Sequence, residues 1–298
     1  MPGKAPKSLL SDTQNTKLFA FFFLLPSLFF VGLIALYPLV TGLSYSFREG
    51  TMLQMGGWVG LKNYIRVFSL PSFAKAVRFS VMFSLFSVIG SYTMGLGLAL
   101  LLNSDIPGRN FFRAAILIPW IIPSVVSVVA WRWLLGDQSS LINTALGFIG
   151  IKPILFLADP FWATVSVSVV KIWRSFPFMM VSILAVLQTI PAEQYEAATL
   201  DGAGSVQSFR YVTWPNLRSI TIVCAILMTI WSVNDFDTIY LLTSGGPFDF
   251  TQNIINLSYK TAFVKNDIAA SSAMAIIAMV AMMILSVLMQ RAQKDQNL

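Results

Sequence analysis

Histidine is missing from all 298 residues, and cysteine occurs once, as Cys224. Without histidine the chain lacks the commonest metal ligand and the commonest side-chain general base. A lone cysteine rules out an intrachain disulfide and a cysteine metal cluster. Cys224 lies inside an apolar run and reads as a small packing residue. Charge is scarce as well: 20 Lys and Arg and 13 Asp and Glu make up 11% of the chain. A soluble domain carries about 25% charged residues, because its surface must be hydrated. That is too little charge to cover a globule of this size in water. Lipid must cover the rest.

What is abundant is apolar, 56% of the residues. A bilayer core about 30 Å thick needs about 20 apolar residues in helix. Six stretches meet this, at about 18–42, 79–102, 114–135, 161–189, 219–242 and 268–290. The expected fold is an all-α polytopic membrane protein with six transmembrane helices, a transmembrane domain over 18–290. The first stretch is too long for the apolar region of a signal peptide and reads as a retained span. The net charge of +7 is scattered among apolar runs, so it suits anionic lipid headgroups and not nucleic acid. Placing residues 1–17 and 291–298 in the cytoplasm leaves nine basic residues inside and eight outside. Five of those eight lie in the long segment 43–78, part of which reads as an amphipathic surface helix. Short segments alone favour both termini inside. Pro26, Pro119, Pro123 and Pro177 fall within spans, as do Gly90, Gly95 and Gly97, which permit close helix contact.

The segment 190–218, between spans four and five, does not read as a plain connection. Pro191 suits a helix start, and Glu193 and Glu196 favour the positive end of its dipole. Gly202 and Gly204 then break the helix, and a second short helix follows from Ser205. The composition alone fits a surface loop with helical turns. The pattern is more particular: Glu196-Ala197-Ala198, three residues, Gly202, nine residues, Val212, one residue, Trp214-Pro215. It resembles the EAA loop of ATP-binding-cassette import permeases. Pro177-Phe178, the run Leu184 to Pro191, Asp235-Phe236-Asp237 and Thr243-Ser244-Gly245-Gly246-Pro247 extend the likeness. Together they resemble the maltose and glycerol-3-phosphate type of carbohydrate uptake permease.

The resemblance implies a permease subunit that forms half of a pathway for a carbohydrate or polyol-type solute in a bacterial inner membrane. It implies a second, similar permease as heterodimer partner, two cytoplasmic ATPase subunits and an extracytoplasmic solute-binding protein. ATP and magnesium would sit on the ATPases. This chain has no Gly-x-x-x-x-Gly-Lys-Ser/Thr phosphate cradle and is expected to be no enzyme. In the family this loop docks a short coupling helix into the ATPase. Glu193, Glu196, Ala197, Ala198, Asp201, Gly202, Ala203, Phe209 and Pro215 are the candidate coupling residues here, with Asp201 capping or tethering the second helix. The alternative is a secondary transporter driven by an ion gradient, in which this loop would lack a purpose. A membrane-embedded enzyme is a further rival, disfavoured by the lack of histidine.

Charges inside the spans are the second candidate site. Lys171 and Arg174 share one face of span four, and Asn234, Asp235 and Asp237 lie in the outer part of span five. A charge at mid-membrane costs at least about 2.5–3.5 kcal/mol, so each should face a protein interior or a watery cavity. Lys171 and Asp235 stand at matching depths and are expected to pair. The bland reading is an ion pair that sets helix register. The functional one is a solute pathway lined by these groups and by Trp173 and Trp231, with Arg174 suited to an acidic solute. No metal site is expected. Arg132, between Trp131 and Trp133, reads as snorkelling to the headgroups.

Overall fold

A computed structural model describes residues 21–51 and 53–294. The proposed N-terminal segment 1–17, the first residues of span one and tail residues 295–298 lie outside that range. The described chain is almost wholly helical. Five helices are each long and apolar enough to cross a membrane, and six spans result if one bent pair counts as one.

The first span, α1 (Phe21–Ser46), buries nothing in its most apolar window. Its end is tied down: Asn63 Nδ2 donates to the carbonyls of Ser46 and Arg48 at 3.0 and 2.7 Å, and Ser46 Oγ meets Tyr64 Oη at 2.7 Å. A small antiparallel hairpin follows, β1 (Arg48–Gly50) with β2 (Met55–Trp58), an addition to the expected all-helical fold. The expected surface helix is α2 (Lys62–Ser69).

The molecule is organised around α3 (Pro71–Asn103) and α7 (Pro160–Leu187). The buried face of α3 carries Ser80, Ser84, Ser87, Ser91, Gly95 and Ala99, spaced three or four apart. Such a stripe lets two backbones approach closely where lipid offers no hydrophobic drive. A Cβ on Gly95 would stand 2.6 Å from Met179 Cβ and 2.8 Å from the Met180 backbone nitrogen. At one end of this contact Ala99, Leu102, Met179, Ile183, Cys224 and Met228 form a core, so Cys224 is the packing residue expected. Near the other end lie Phe79, Phe83, Val128, Val170 and Ile239.

Two expected spans are not single helices. The stretch 114–135 is α4 (Arg109–Ile121) and α5 (Ser124–Leu135), bent by 89°. Pro123 explains the break. The residue before a proline is pushed out of the α region, and Ile122 is extended, with ψ 132°. A short helix, α6 (Leu141–Gly147), separates this pair from α7. Beyond α7 come α8 (Ala192–Leu200) and α9 (Ser205–Val233), the latter containing a π-helical turn at Phe209–Thr213. The stretch 219–242 therefore divides: α9 stops at Val233, and α10 (Asp237–Thr243) begins after three residues. The chain closes with α11 (Ile254–Tyr259) and α12 (Ile268–Lys294), whose Leu257 and Met274 pack with Phe73 and Ala76 of α3.

Gly95→Val should destabilise the α3–α7 contact by about 1–3 kcal/mol, the usual penalty for overpacking. Gly97→Ala, where a Cβ meets nothing within 4 Å, should not. Thermal melts of the detergent-purified protein check this; equal melting of both variants would remove close packing as the organising contact.

Candidate functional site

The break between α9 and α10 makes the charged site. Asp235 lies in it, and the Lys171 Nζ of α7 stands 2.8 Å from its Oδ2, with side chains only 9% and 5% exposed. The expected pair is therefore formed. Lys171 Nζ also donates to the Trp231 carbonyl at 3.4 Å. The other carboxylate duty is structural: Asp235 Oδ1 accepts from the Thr238 backbone N–H at 3.0 Å and Oδ2 accepts from the Thr238 hydroxyl at 2.9 Å. One side chain thus neutralises a cation and caps α10.

Arg174 joins through the same threonine. Its Nη1 donates to Thr238 Oγ1 at 2.9 Å, completing a chain Arg174–Thr238–Asp235–Lys171. Among the described residues no carboxylate lies within 4.0 Å of Arg174, and its buried Nε finds no acceptor. The cluster therefore carries two cations against one anion, a net positive charge.

The remaining predicted residues are placed around this chain, not within it. Asp237 accepts from Ser124 Oγ at 2.5 Å and so ties α10 to α5 just past the Pro123 bend. Asn234 is exposed and donates to the Ile230 carbonyl and to Met282 sulfur at 2.9 and 3.2 Å. Trp173 and Trp231 do not form one aromatic surface. Trp173 meets Trp131 edge-on at 5.5 Å, whereas Trp231 meets Phe178 at 4.9 Å, and Phe178 meets Trp120 at 5.9 Å. Arg132 is exposed, and its Nη1 donates to the Leu241 carbonyl of α10 at 3.1 Å.

Sequence reasoning missed Asn253, which makes the break possible. Its Nδ2 donates to the carbonyls of Asp235 and Val233 at 2.9 and 3.3 Å, and its Oδ1 accepts from Asn256 N–H at 2.8 Å. It thereby satisfies carbonyls left free where α9 ends, and caps α11 as well. An Asn just ahead of a short apolar helical run was the available signal.

The second candidate site, 190–218, is exposed. Pro191 precedes α8, and Glu193 lies in its first turn. Glu196 and Ala197 are exposed, and Ala198 is half-buried. Asp201 ends α8, with its N–H donating to the Ala197 carbonyl, and Gly202 turns the chain at φ +81°. The tether expected of Asp201 is supplied otherwise: Gln207 Oε1 accepts from the Gly204 N–H at 2.9 Å. Ala203 closes the turn by donating to the Ala198 carbonyl at 2.9 Å. The second helix is not separate but is the start of span five. Its π-helical turn begins at half-buried Phe209 and precedes Pro215, which has no N–H to donate and would clash in a regular helix. Two bridges brace α8 against this stem: Tyr195 Oη to Thr213 Oγ1 at 3.0 Å, and Asn216 Nδ2 to Gln194 Oε1 at 3.1 Å.

The family model for binding-protein-dependent transport system inner membrane components matches residues 91–295, which include both sites. The chain belongs to that family. It is 38% identical to the trehalose/maltose transport system permease protein MalF of Thermococcus litoralis over 212 residues, 71% of this chain and 72% of that protein. It is 33% identical to the sulfoquinovosyl glycerol transport system permease protein SmoG of Agrobacterium fabrum over 264 residues, 88% and 85% of the two chains. In fold it matches a chain of a bacterial ABC transporter involved in import of the acidic polysaccharide alginate. That match has a TM-score of 0.85 at 21% identity, covering 97% and 99% of the chains. The family member described here is a permease subunit of an ABC importer in the inner membrane, a transport component and not an enzyme. Nothing in these likenesses supports the ion-driven alternative.

Removing one partner of the buried pair should be far worse than removing both. Lys171→Met or Asp235→Leu alone should cost about 3–5 kcal/mol of stability, and the double variant should recover most of it. Asp235→Leu carries the added loss of the α10 cap, so the recovery should be incomplete. Yield and thermal melting of the purified permease measure both, and additive losses would deny the coupling.

Proposed function

We propose that this permease forms half of the translocation pathway for a carbohydrate or polyol-type solute and is driven through residues 190–218 by ATPase subunits. The complex would contain a second, similar permease, two cytoplasmic ATPases holding ATP and magnesium, and an external binding protein that delivers the solute. Both termini and the 190–218 loop would face the cytoplasm. The named relatives handle trehalose, maltose and sulfoquinovosyl glycerol, which supports the carbohydrate class.

The single observation that carries the coupling reading is the exposed, braced turn. Leu200 and Val206 are 89% and 80% exposed on either side of Gly202, an apolar tip with no cover in this chain. Glu193 and Glu196 add acidic contacts for a basic partner, and Ala197 leaves room for close approach. The stem is stiff. A push at the turn passes into α9 directly and through the Tyr195 and Asn216 bridges. At 1.5 Å per residue α9 carries it roughly 40 Å to the break at Asp235. Motion at the turn would thus reach the Lys171–Asp235–Thr238–Arg174 chain as displacement of a rigid rod. Rocking of rigid helices about a central site is an established route to alternating access.

Within the carbohydrate class, the unpaired positive charge at Arg174 favours an acidic derivative. Trp173, Trp231, Asn234 and Asp237 would contribute at the margins of the pathway, each held by a different neighbour.

Uptake into proteoliposomes holding all subunits should require ATP and should be indifferent to a collapsed ion gradient. Glu196→Lys and Gly202→Pro should each abolish uptake and solute-stimulated ATP hydrolysis while the complex still assembles; a proline cannot adopt the positive φ of Gly202. Normal transport by both variants would sink the lever. Arg174→Gln should weaken uptake of an acidic sugar far more than of a neutral one, and equal effects would remove charge recognition from the proposal.

A further inference from the structure

Lys75 and Arg78 are three residues apart in the first turns of α3, so they share one face. Both are exposed, and among the described residues neither has an ion-pair or hydrogen-bond partner. They border a cavity of about 320 Å³ that also includes Met82, Thr164, Asp249 and Phe250. Met82, Thr164 and Phe250 line a second cavity too, of about 700 Å³, so the two adjoin across these side chains. The deeper one is walled by Phe86, Ile89, Phe161, Val169 and Ile172 from α3 and α7, and almost nothing polar faces it. The result is a groove with a cationic mouth and an apolar trough.

Its dimensions fit one molecule class. Arg78 and Ile89 are eleven residues apart on a continuous helix, which corresponds to roughly 16 Å, about one leaflet of hydrocarbon. The mouth lies at the end of α3 and α7 away from the 190–218 loop, because α7 runs into that loop and α3 runs parallel to it, Gly90 against Ile172 and Gly95 against Met179. Asp249, the acid at the mouth, also stands 4.0 Å from Lys260, so Lys75, Arg78 and Lys260 outnumber it. Its free oxygen suits headgroup hydroxyls, which a glycerol headgroup supplies and a choline headgroup does not.

We propose that this groove binds an anionic glycerophospholipid. The phosphate sits between Lys75 and Arg78, hydroxyls of the headgroup reach Asp249, and an acyl chain lies along Phe86 and Ile89 against Ile172. The lipid belongs to the leaflet opposite the 190–218 loop and lies against both α3 and α7 near their N-terminal ends. Basic pockets between spans commonly recognise acidic headgroups.

The test uses the complete transporter purified in mild detergent and two probes, dioleoylphosphatidylglycerol and dioleoylphosphatidylcholine. Phosphatidylglycerol should remain bound on native mass spectrometry and raise the melting temperature, and phosphatidylcholine should do neither. The double variant Lys75→Gln/Arg78→Gln should bind phosphatidylglycerol roughly 25-fold more weakly, about fivefold per cation. Ile89→Trp fills the trough with the mouth intact and should also reduce retention, a second route if the double variant assembles poorly. Equal retention of the two lipids by the native complex, or undiminished phosphatidylglycerol binding by Ile89→Trp, would overturn the proposal. So would efficient disulfide-type crosslinking of a Phe86→Cys variant to the companion permease, which would show that protein covers the groove.

Discussion

A charge carried into hydrocarbon has to be neutralised by the protein itself, and Asp235 is where this chain meets that demand. Its carboxylate faces Lys171 across 2.8 Å and holds the N–H and hydroxyl of Thr238 at the same time. Those two duties explain each other. A carboxylate inside an unbroken helix would have only side-chain partners, whereas at a helix break it finds a free backbone donor as well. Span five therefore stops at Val233, and the carbonyls released there go to Asn253 from a loop eighteen residues further on. The ion pair, the break and the fold-back of 244–253 form one arrangement in which no part stands alone.

Around that arrangement the membrane bundle is packed by shape. Serines and glycine on α3 bring it against α7, and the apolar clusters on either side are joined by that contact. Unlike a soluble core, such a contact gains little from leaving water, because lipid tails are as apolar as leucine. Fit has to supply the attraction, which is why a missing Cβ at Gly95 matters more here than another leucine would. The first part of α1 is the counterpart, with no buried residue in its most apolar window, whereas its end packs against α12.

The two candidate sites sit at opposite ends of one helix. The exposed turn at Gly202 lies at the foot of α9, and the charged cluster lies at its head. A π-helical turn accommodates Pro215 without interrupting the rod, and two side-chain bridges stop α8 from hinging freely on it. The exposed turn and the buried charges are therefore joined by one continuous helix.

Much of this was legible in the residues. Apolar runs of about twenty located the membrane segments, since hydrocarbon thickness dictates length whatever the packing. The Glu196-Ala197-Ala198 to Pro215 pattern carried the family, and its glycine turn is local chemistry that any context would preserve. The matched depths of Lys171 and Asp235 predicted their contact, because an unpaired charge is too costly to leave in lipid. Pro123 marks the bend at Ile122, but on the sequence 114–135 counted as one span, with Pro123 a proline within it. What only the tertiary structure decided was the break at residues 234–236, where no proline or glycine marks the end of α9. It exists because Asn253, Thr238 and Lys171 converge there from separate helices, and a linear pattern holds no record of which distant donor will satisfy which carbonyl. The separation of Trp173 from Trp231 and the tie between Arg132 and Leu241 were set the same way, by helix faces whose rotation depends on their neighbours.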